Sequence, residues 1–455
     1  MLAHRIELVD GLRGRRINQP VYFTVDVHLS DKYWTARLDD GRTVTCQRID
    51  SQSDDQRTSF VAILTFEGRV QITLIEPVTP PERGIRELAP IAADAFVRLD
   101  TGYFDLELCS GTGKGIGSSK WGIRHFAGID EGIDLLSSGN NAIGGFYGPF
   151  FTPENGLINP PEHTTVEIAV VEDGALMRQY RMRGIVPDGL RPELTGKAFE
   201  IDWTFFHNAH YFERQYRVDH FETVINGRSI TNKITVGDEF EGGIGELVFD
   251  RFSAYHATPY REGDPYAGLL VDMVSDTLAT TTASGAKIEE FRTGLADIES
   301  AHWDLYWRLF SVWEGALGRT EISDRLDRVR DEAHVVADLT EREWKITDRP
   351  VNVSEVPHQT VFAGPASKTV EFHSELGRAM VWWTSEASGA FQIVQRRQSG
   401  WVNWGNNGEN ECPELPVGVT IRTAYGPFVE QWKAIADQLE NPPSVSVPHV
   451  EDSLT

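Results

Sequence analysis

Little in this chain invites a redox, metal or membrane reading. Three cysteines occur in 455 residues, Cys46, Cys109 and Cys412, far apart and odd in number. They supply neither a disulfide framework nor the CxxC spacing of a metal site. No run of about 18 apolar residues is found, and Met1-Leu2-Ala3-His4-Arg5-Ile6-Glu7 lacks the apolar segment of a secretory leader. These absences predict a cytoplasmic protein with no membrane span. Basic residues are scarce too: 43 Lys and Arg stand against 68 Asp and Glu, a formal net charge of −25. Such a field repels a phosphate backbone and argues against a nucleic-acid partner, and its ordinary meaning is a solvated acidic surface. No repeat of fixed period stands out.

What the chain does have is the composition of a globular protein rich in turns. Apolar residues make up 40 %, and 41 Gly and 22 Pro are spread along the whole length. At roughly 100–200 residues per domain, several domains are expected. Over residues 1–80, short alternating runs such as Val21–Val27, Tyr33–Leu38, Phe60–Phe66 and Val70–Ile75 predict an N-terminal β-sandwich. Asp39-Asp40-Gly41-Arg42 supplies a hairpin turn there, because Asp and Gly tolerate positive φ. Pro77-Val78-Thr79-Pro80-Pro81 reads as a linker.

A large antiparallel β domain follows over 81–287. Its clearest unit is the hairpin Phe221–Val236, turned at Asn226-Gly227. Near residue 290 the apolar period lengthens, and Leu295, Ile298, Leu305, Leu309, Val312 and Leu317 predict a helical segment over 288–340. Over 341–440, strands return at Val370–Phe372, Ala379–Trp383, Phe391–Arg396 and Val419–Ala424, before a closing helix at Phe428–Ala436. Residues 441–455 read as a loose tail. The predicted fold is therefore mainly β: an N-terminal β-sandwich, then a large antiparallel β-supersandwich with a few helices.

Several segments carry candidate chemistry. The Gly-rich run Ser110–Lys120 suits a loop or lid. It is no P-loop, because Gly115 stands where the magnesium-binding Ser or Thr should follow Gly113-Lys114. The densest polar cluster is Phe206–His220. On a strand, Tyr211, Glu213, Gln215, Arg217 and Asp219 share one face, and His210, Arg214, Tyr216 and His220 the other. Either face could line a cleft, or be a salt-bridged outer surface of the kind antiparallel sheets routinely show. His207 and His210 have His-x-x-His spacing, but two rings three apart on a strand point to opposite sides, so no metal is expected. Trp401, Trp404 and Asn406, in a segment read as a loop, combine flat rings with amides, the mixture a polar ring-shaped ligand needs. Trp303 sits in the aromatic helical segment, where core packing is the plainer explanation.

The strand run Phe199–Val236 and the closing stretch Glu414–Arg422 resemble the galactose-mutarotase-like β-supersandwich proteins. That superfamily includes sugar epimerases and the sheet domains of many glycosidases and polysaccharide lyases. The resemblance implies a carbohydrate-active protein, but it is architectural and transfers no catalytic signature.

The leading expectation is cleavage of a glycosidic bond, by β-elimination rather than hydrolysis. Arg217 or Arg214 would neutralise an acidic or carbonyl-bearing sugar, His210 or His207 would abstract the proton, and Tyr216 or Tyr211 would protonate the leaving oxygen. Glu213 joins the same catalytic set, and His220 joins Arg214, Trp401, Trp404, Asn406 and Trp303 in holding substrate. A hydrolase would instead use two carboxylates among Glu213, Asp219, Glu239 and Glu241. The non-enzymatic alternative is a carbohydrate-binding or structural module that assembles into homo-oligomers through its sheet edges. No cofactor is named by the sequence.

Overall fold

The computed structural model describes residues 4–12, 14–115, 118–137, 141–146, 164–188, 192–225, 228–241, 248–249, 251–255, 359–363, 366–373, 376–388, 391–396, 401–406 and 415–447. The predicted helical segment at 288–340, with Trp303, lies outside them.

Strands β1 (Arg5–Val9), β2 (Arg15–Val25), β3 (Tyr33–Leu38), β4 (Thr43–Arg48), β5 (Thr58–Glu67) and β6 (Arg69–Pro77) come first. Next are β7 (Arg86–Leu88), β8 (Ala95–Asp100), β9 (Phe104–Ser110), β10 (Trp121–Gly128), β11 (Ala142–Phe146), β12 (Glu167–Glu172) and β13 (Met177–Ile185). The middle of the chain adds β14 (Ala198–Phe206), β15 (Tyr211–Val218), β16 (Glu222–Ile225), β17 (Arg228–Thr231), β18 (Lys233–Ile234), β19 (Val236–Glu241) and β20 (Arg251–Tyr255). The last part holds β21 (Gln359–Ala363), β22 (Ala366–His373), β23 (Arg378–Ser388), β24 (Phe391–Arg396), β25 (Trp401–Asn406), β26 (Leu415–Pro416) and β27 (Thr420–Gly426). Helix α1 (Trp432–Glu440) and strand β28 (Ser444–Ser446) close it.

The first six strands and β28 make one antiparallel sheet in the order β2-β5-β4-β3-β6-β1-β28. Alternating side chains, among them Ile6, Phe23, Trp34, Phe60 and Ile72, meet in a core of their own. The β3–β4 turn is the expected one: Gly41 has φ +88° and the Leu38 amide donates to the Arg42 carbonyl at 2.8 Å. The run read as a tail contributes β28, whose three residues pair with Glu7, Leu8 and Val9 of β1.

Two larger sheets face each other. One has nine strands, β21-β24-β25-β19-β11-β10-β9-β8-β7, and the other eight, β12-β13-β14-β15-β27-β23-β22-β20. Their facing side chains form the main core, with Trp121 and Phe126 from the first layer and Trp203, Phe212 and Trp382 from the second. Trp121 and Phe199 meet across the gap with ring centroids 5.5 Å apart. This is the expected mainly-β sandwich architecture, and the strands after residue 359 return to both layers. Within the hairpin expected over Phe221–Val236, β16 pairs with β17, with Ile225 opposite Arg228. The closing helix begins at Trp432 rather than Phe428. A turn occupies the interval, in which the Gln431 amide donates to the Phe428 carbonyl at 2.8 Å.

The outer face of the eight-stranded sheet is covered as well. Tyr211, Val381 and Ala424 pack there with α1 side chains Trp432 and Ile435 and with Ile49 and Val61 of the N-terminal region. Polar groups position that contact. The fully buried Gln47 accepts from the Leu176 and Met177 amides at 2.8 and 3.1 Å and donates to the Met177 carbonyl at 2.9 Å. Arg16 donates to both oxygens of Asp10 at 2.7 and 2.8 Å, and to the carbonyls of Gln438 and Asn441 at the end of α1. Both side chains of the Arg16–Asp10 pair are 1 % exposed.

Removing one member of a buried ion pair leaves the other uncompensated. Arg16→Ala is therefore expected to lower stability by about 3–5 kcal/mol, measured by urea denaturation of the full chain.

Candidate functional site

The polar ribbon singled out in the sequence is β15, fourth in the eight-stranded sheet between β14 and β27. Its side chains alternate as expected. Phe212, Arg214 and Tyr216 enter the gap between the large sheets, while Tyr211 and Glu213 lie on the face toward the N-terminal sheet and α1.

On the inner face Arg214 meets Asp238 of β19, in the opposite sheet. Nη1 and Nη2 donate to Oδ1 and Oδ2, each at 2.6 Å, and neither side chain is exposed. Asp238 also accepts from the Gly144 amide at 2.8 Å and from Trp382 Nε1 at 2.8 Å. The β11–β19 register shifts between Ala142 and Gly145, beside the Gly144 amide that reaches the carboxylate. Gly144 itself has φ +98°, and a Cβ there would collide with the Trp203 indole. The guanidinium lies 5.8 Å from the Trp203 ring centroid. Burial works against its charge, yet Asp238 and then Tyr216 outweigh this and hold its pKa above the ordinary value. The Tyr216 hydroxyl donates to the Gly144 carbonyl at 3.0 Å, and burial raises its pKa. Arg214 and Tyr216 thus sit in a sealed network that holds two sheets together.

On the other face Tyr211 is buried and accepts from Gln19 Nε2 at 3.1 Å. Glu213 receives Arg422 Nε at 2.7 Å, with that guanidinium 4.8 Å over Trp383. Arg217 is exposed and pairs with Asp202 at 2.7 Å. Asp219 and His220 are exposed, and His220 has φ +48°. His207 is half-buried, with Nδ1 3.0 Å from the Thr101 carbonyl and Nε2 3.1 Å from Asn208 Nδ2. Those partners fit a neutral ring that donates from Nδ1 and accepts at Nε2, and burial lowers its pKa. His210 packs edge-on to Tyr103, Tyr211 and Phe428, and its Nε2 has no hydrogen-bond partner. Burial depresses its pKa to about 4.

The ribbon's groups are therefore divided between two faces of one strand. Of the three groups that the elimination expectation brings together, Arg214 and Tyr216 share one buried network, while His210 packs apart from them against Tyr103, Tyr211 and Phe428.

Trp401 and Trp404 belong to a strand, β25, where the sequence suggested a loop. Gly and Asn are tolerated because β25 is paired on both sides, by β19 and β24. The register sets Trp404 opposite Asp238, Asn403 opposite Glu239 and Trp401 opposite Glu241, while Asn406 pairs with Phe391 of β24. Glu239 is 5 % exposed and ion-paired with Lys120. Lys120 ends the Gly-rich loop. That loop is a strand-to-strand connection in which the Thr112 amide donates to the Ser119 carbonyl at 3.0 Å.

Two features escaped sequence reasoning. Glu371 of β22 is 1 % exposed, with both oxygens unpartnered, although Thr369-Val370-Glu371-Phe372-His373 reads as an ordinary alternation with a solvated polar side. His125 has Nδ1 2.8 Å from Asp134 and Nε2 3.4 Å from Asp105, and Arg98 also holds Asp105 at 2.6 Å. Among the described residues no three His, Cys, Asp or Glu side chains are grouped to hold a metal ion, and no helix is long and apolar enough to cross a membrane.

No family model and no curated protein sequence matches the chain. Among the solved structures that overlay on it are two from Enterococcus faecalis. An α-mannosidase from Enterococcus faecalis V583 shares 10 % identity with a TM-score of 0.44, covering 98 % of this chain and 46 % of its own. A protein in glycosyl hydrolase family 38 from Enterococcus faecalis shares 9 % identity with a TM-score of 0.45, covering 98 % of this chain and 47 % of its own. The chain spans somewhat under half the length of either. At this level the likeness carries no weight for activity.

The burial of His210 has a measurable consequence. Below pH 6.5 the unfolded chain takes up a proton that the folded chain refuses until about pH 4. Stability falls across that window as pH drops, by about 3 kcal/mol at its acid end. Urea denaturation at stepped pH should show His210→Phe losing less stability than wild type between these limits.

Proposed function

We propose that this chain is a carbohydrate-active protein that binds a glycoside along β19 and β25 and cleaves it by hydrolysis rather than elimination. The observation that carries the reading is the β19–β25 register, which sets Trp401 beside Glu241 and Asn403 beside Glu239. Aromatic rings stack on the apolar faces of sugars and amides satisfy hydroxyls, so this pairing puts sugar-recognising residues next to carboxylates.

Glu239 and Glu241 are two apart on one strand and so share a face, with Cα atoms roughly 6.6 Å apart from the rise of about 3.3 Å per residue. Glu239, held by Lys120, serves as base, and Glu241 as acid. By register, Trp401 and Asn403 stand on the Glu239–Glu241 face and hold the sugar, whereas Trp404 and Asn406 stand at positions of the Asp238 face. Elimination is less favoured because Arg214 and Tyr216 are committed to Asp238 and Gly144, and His210 is buried away from both.

Incubation with a panel of oligosaccharides should release reducing ends without an ultraviolet-absorbing unsaturated product. Glu241→Gln should lower turnover by about 100-fold or more, while Trp401→Ala should weaken binding by up to roughly tenfold. An unsaturated product would replace hydrolysis with elimination, binding without turnover would leave a recognition module, and neither binding nor turnover would overturn the carbohydrate reading.

A further inference from the structure

Glu371 stands in the interior with no described group to hold it. Its register neighbours are Phe252 on β20 and Met380 on β23. Met380 and Trp382 place this face of the sheet in the core between the two large layers. The side chain is 1 % exposed, and among the described residues neither carboxyl oxygen has a hydrogen-bond partner. A carboxylate sealed without a partner is far costlier than the neutral acid in the same place.

The charged surroundings sharpen this. Asp238 of β19 is the described charge that acts on Glu371, and its own oxygens are already taken by Arg214, Trp382 and Gly144. Arg214, from β15, is turned to Asp238. On β22 itself His373 shares the inward parity, with its ring 6.5 Å from Phe249. Met380, from β23, brings no charge.

We infer that Glu371 is a proton-operated lock on the packing of the two large sheets: as the neutral acid it fills its place between them, and as a carboxylate it repels Asp238 and loosens β22 from the opposite layer. This is independent of the glycoside reading. Burial first, and Asp238 second, raise its pKa well above the ordinary 4.5. Above pH 4.5 the unfolded chain has released this proton while the folded chain keeps it. Stability therefore falls as pH rises, until the folded group ionises as well. His210 acts in the opposite sense between about pH 4 and its ordinary value of 6.5, so above that value the Glu371 effect stands alone.

The test is thermal unfolding of the full chain from neutral to alkaline pH, for wild type, Glu371→Gln and Glu371→Met, with infrared detection of protonated carboxyl groups. Wild type should show a Tm that declines with pH more steeply than in either variant, and a protonated carboxyl band at neutral pH that both variants lack. Equal slopes in all three proteins, or no such band in wild type, would overturn the lock. Should neither variant fold, the wild-type band alone decides.

Discussion

A guanidinium and a carboxylate, both withdrawn from water, clamp the two large sheets at one point. Arg214 comes from the centre of one layer and Asp238 from the centre of the other, and neither could be buried alone. Satisfying Asp238 recruits the Gly144 amide and the Trp382 indole, so that β11, β15, β19 and β23 all converge there. Such a pair adds little net stability over apolar packing of the same volume. What it imposes is geometry, because sliding one sheet over the other by a single rung would strand both charges. The absence of a side chain at Gly144 follows from the same demand, since the Trp203 ring occupies that space.

The opposite side of β15 obeys a different rule. There the N-terminal sheet and α1 cover an apolar patch, and directed polar contacts set how they sit on it. Gln47 behaves as a piece of backbone, pairing with the edge of β13 through its amide. Arg16 reaches the last carbonyls of α1. Strand β15 is thus enclosed on both faces, and its polar side chains each find a partner from another part of the chain. Polar residues in a central strand are tolerated when the layers above and below supply matching groups.

Much of the fold could be read directly from the residues. Alternation marked β2, β3, β5 and β6, Asp-Gly marked the β3–β4 hairpin and Asn-Gly the β16–β17 pair, and β24 spans the strand read at Phe391–Arg396. The parity of 211–217 was legible too. What covers each face was not, because the partners lie far away: Asp238 is 24 residues from Arg214, and Arg422 is 209 residues from Glu213. Local pattern carries no information about such pairings. The same limit hid Glu371, whose strand alternates like one with a wet side, and β25, whose Asn and Gly suggested a loop until pairing on both sides held it extended. Ser444–Ser446 is too short to announce a strand without β1 beside it.

That last pairing joins two distant stretches of chain in one sheet. As the polypeptide leaves the ribosome, β1 can find β6 early, but its other edge stays open until some 440 further residues have been made. An uncovered strand edge is a template for any passing extended segment. For most of synthesis the N-terminal sheet therefore has to remain unclosed beside a growing supply of other strands, and correct assembly depends on β28 outcompeting them once it arrives.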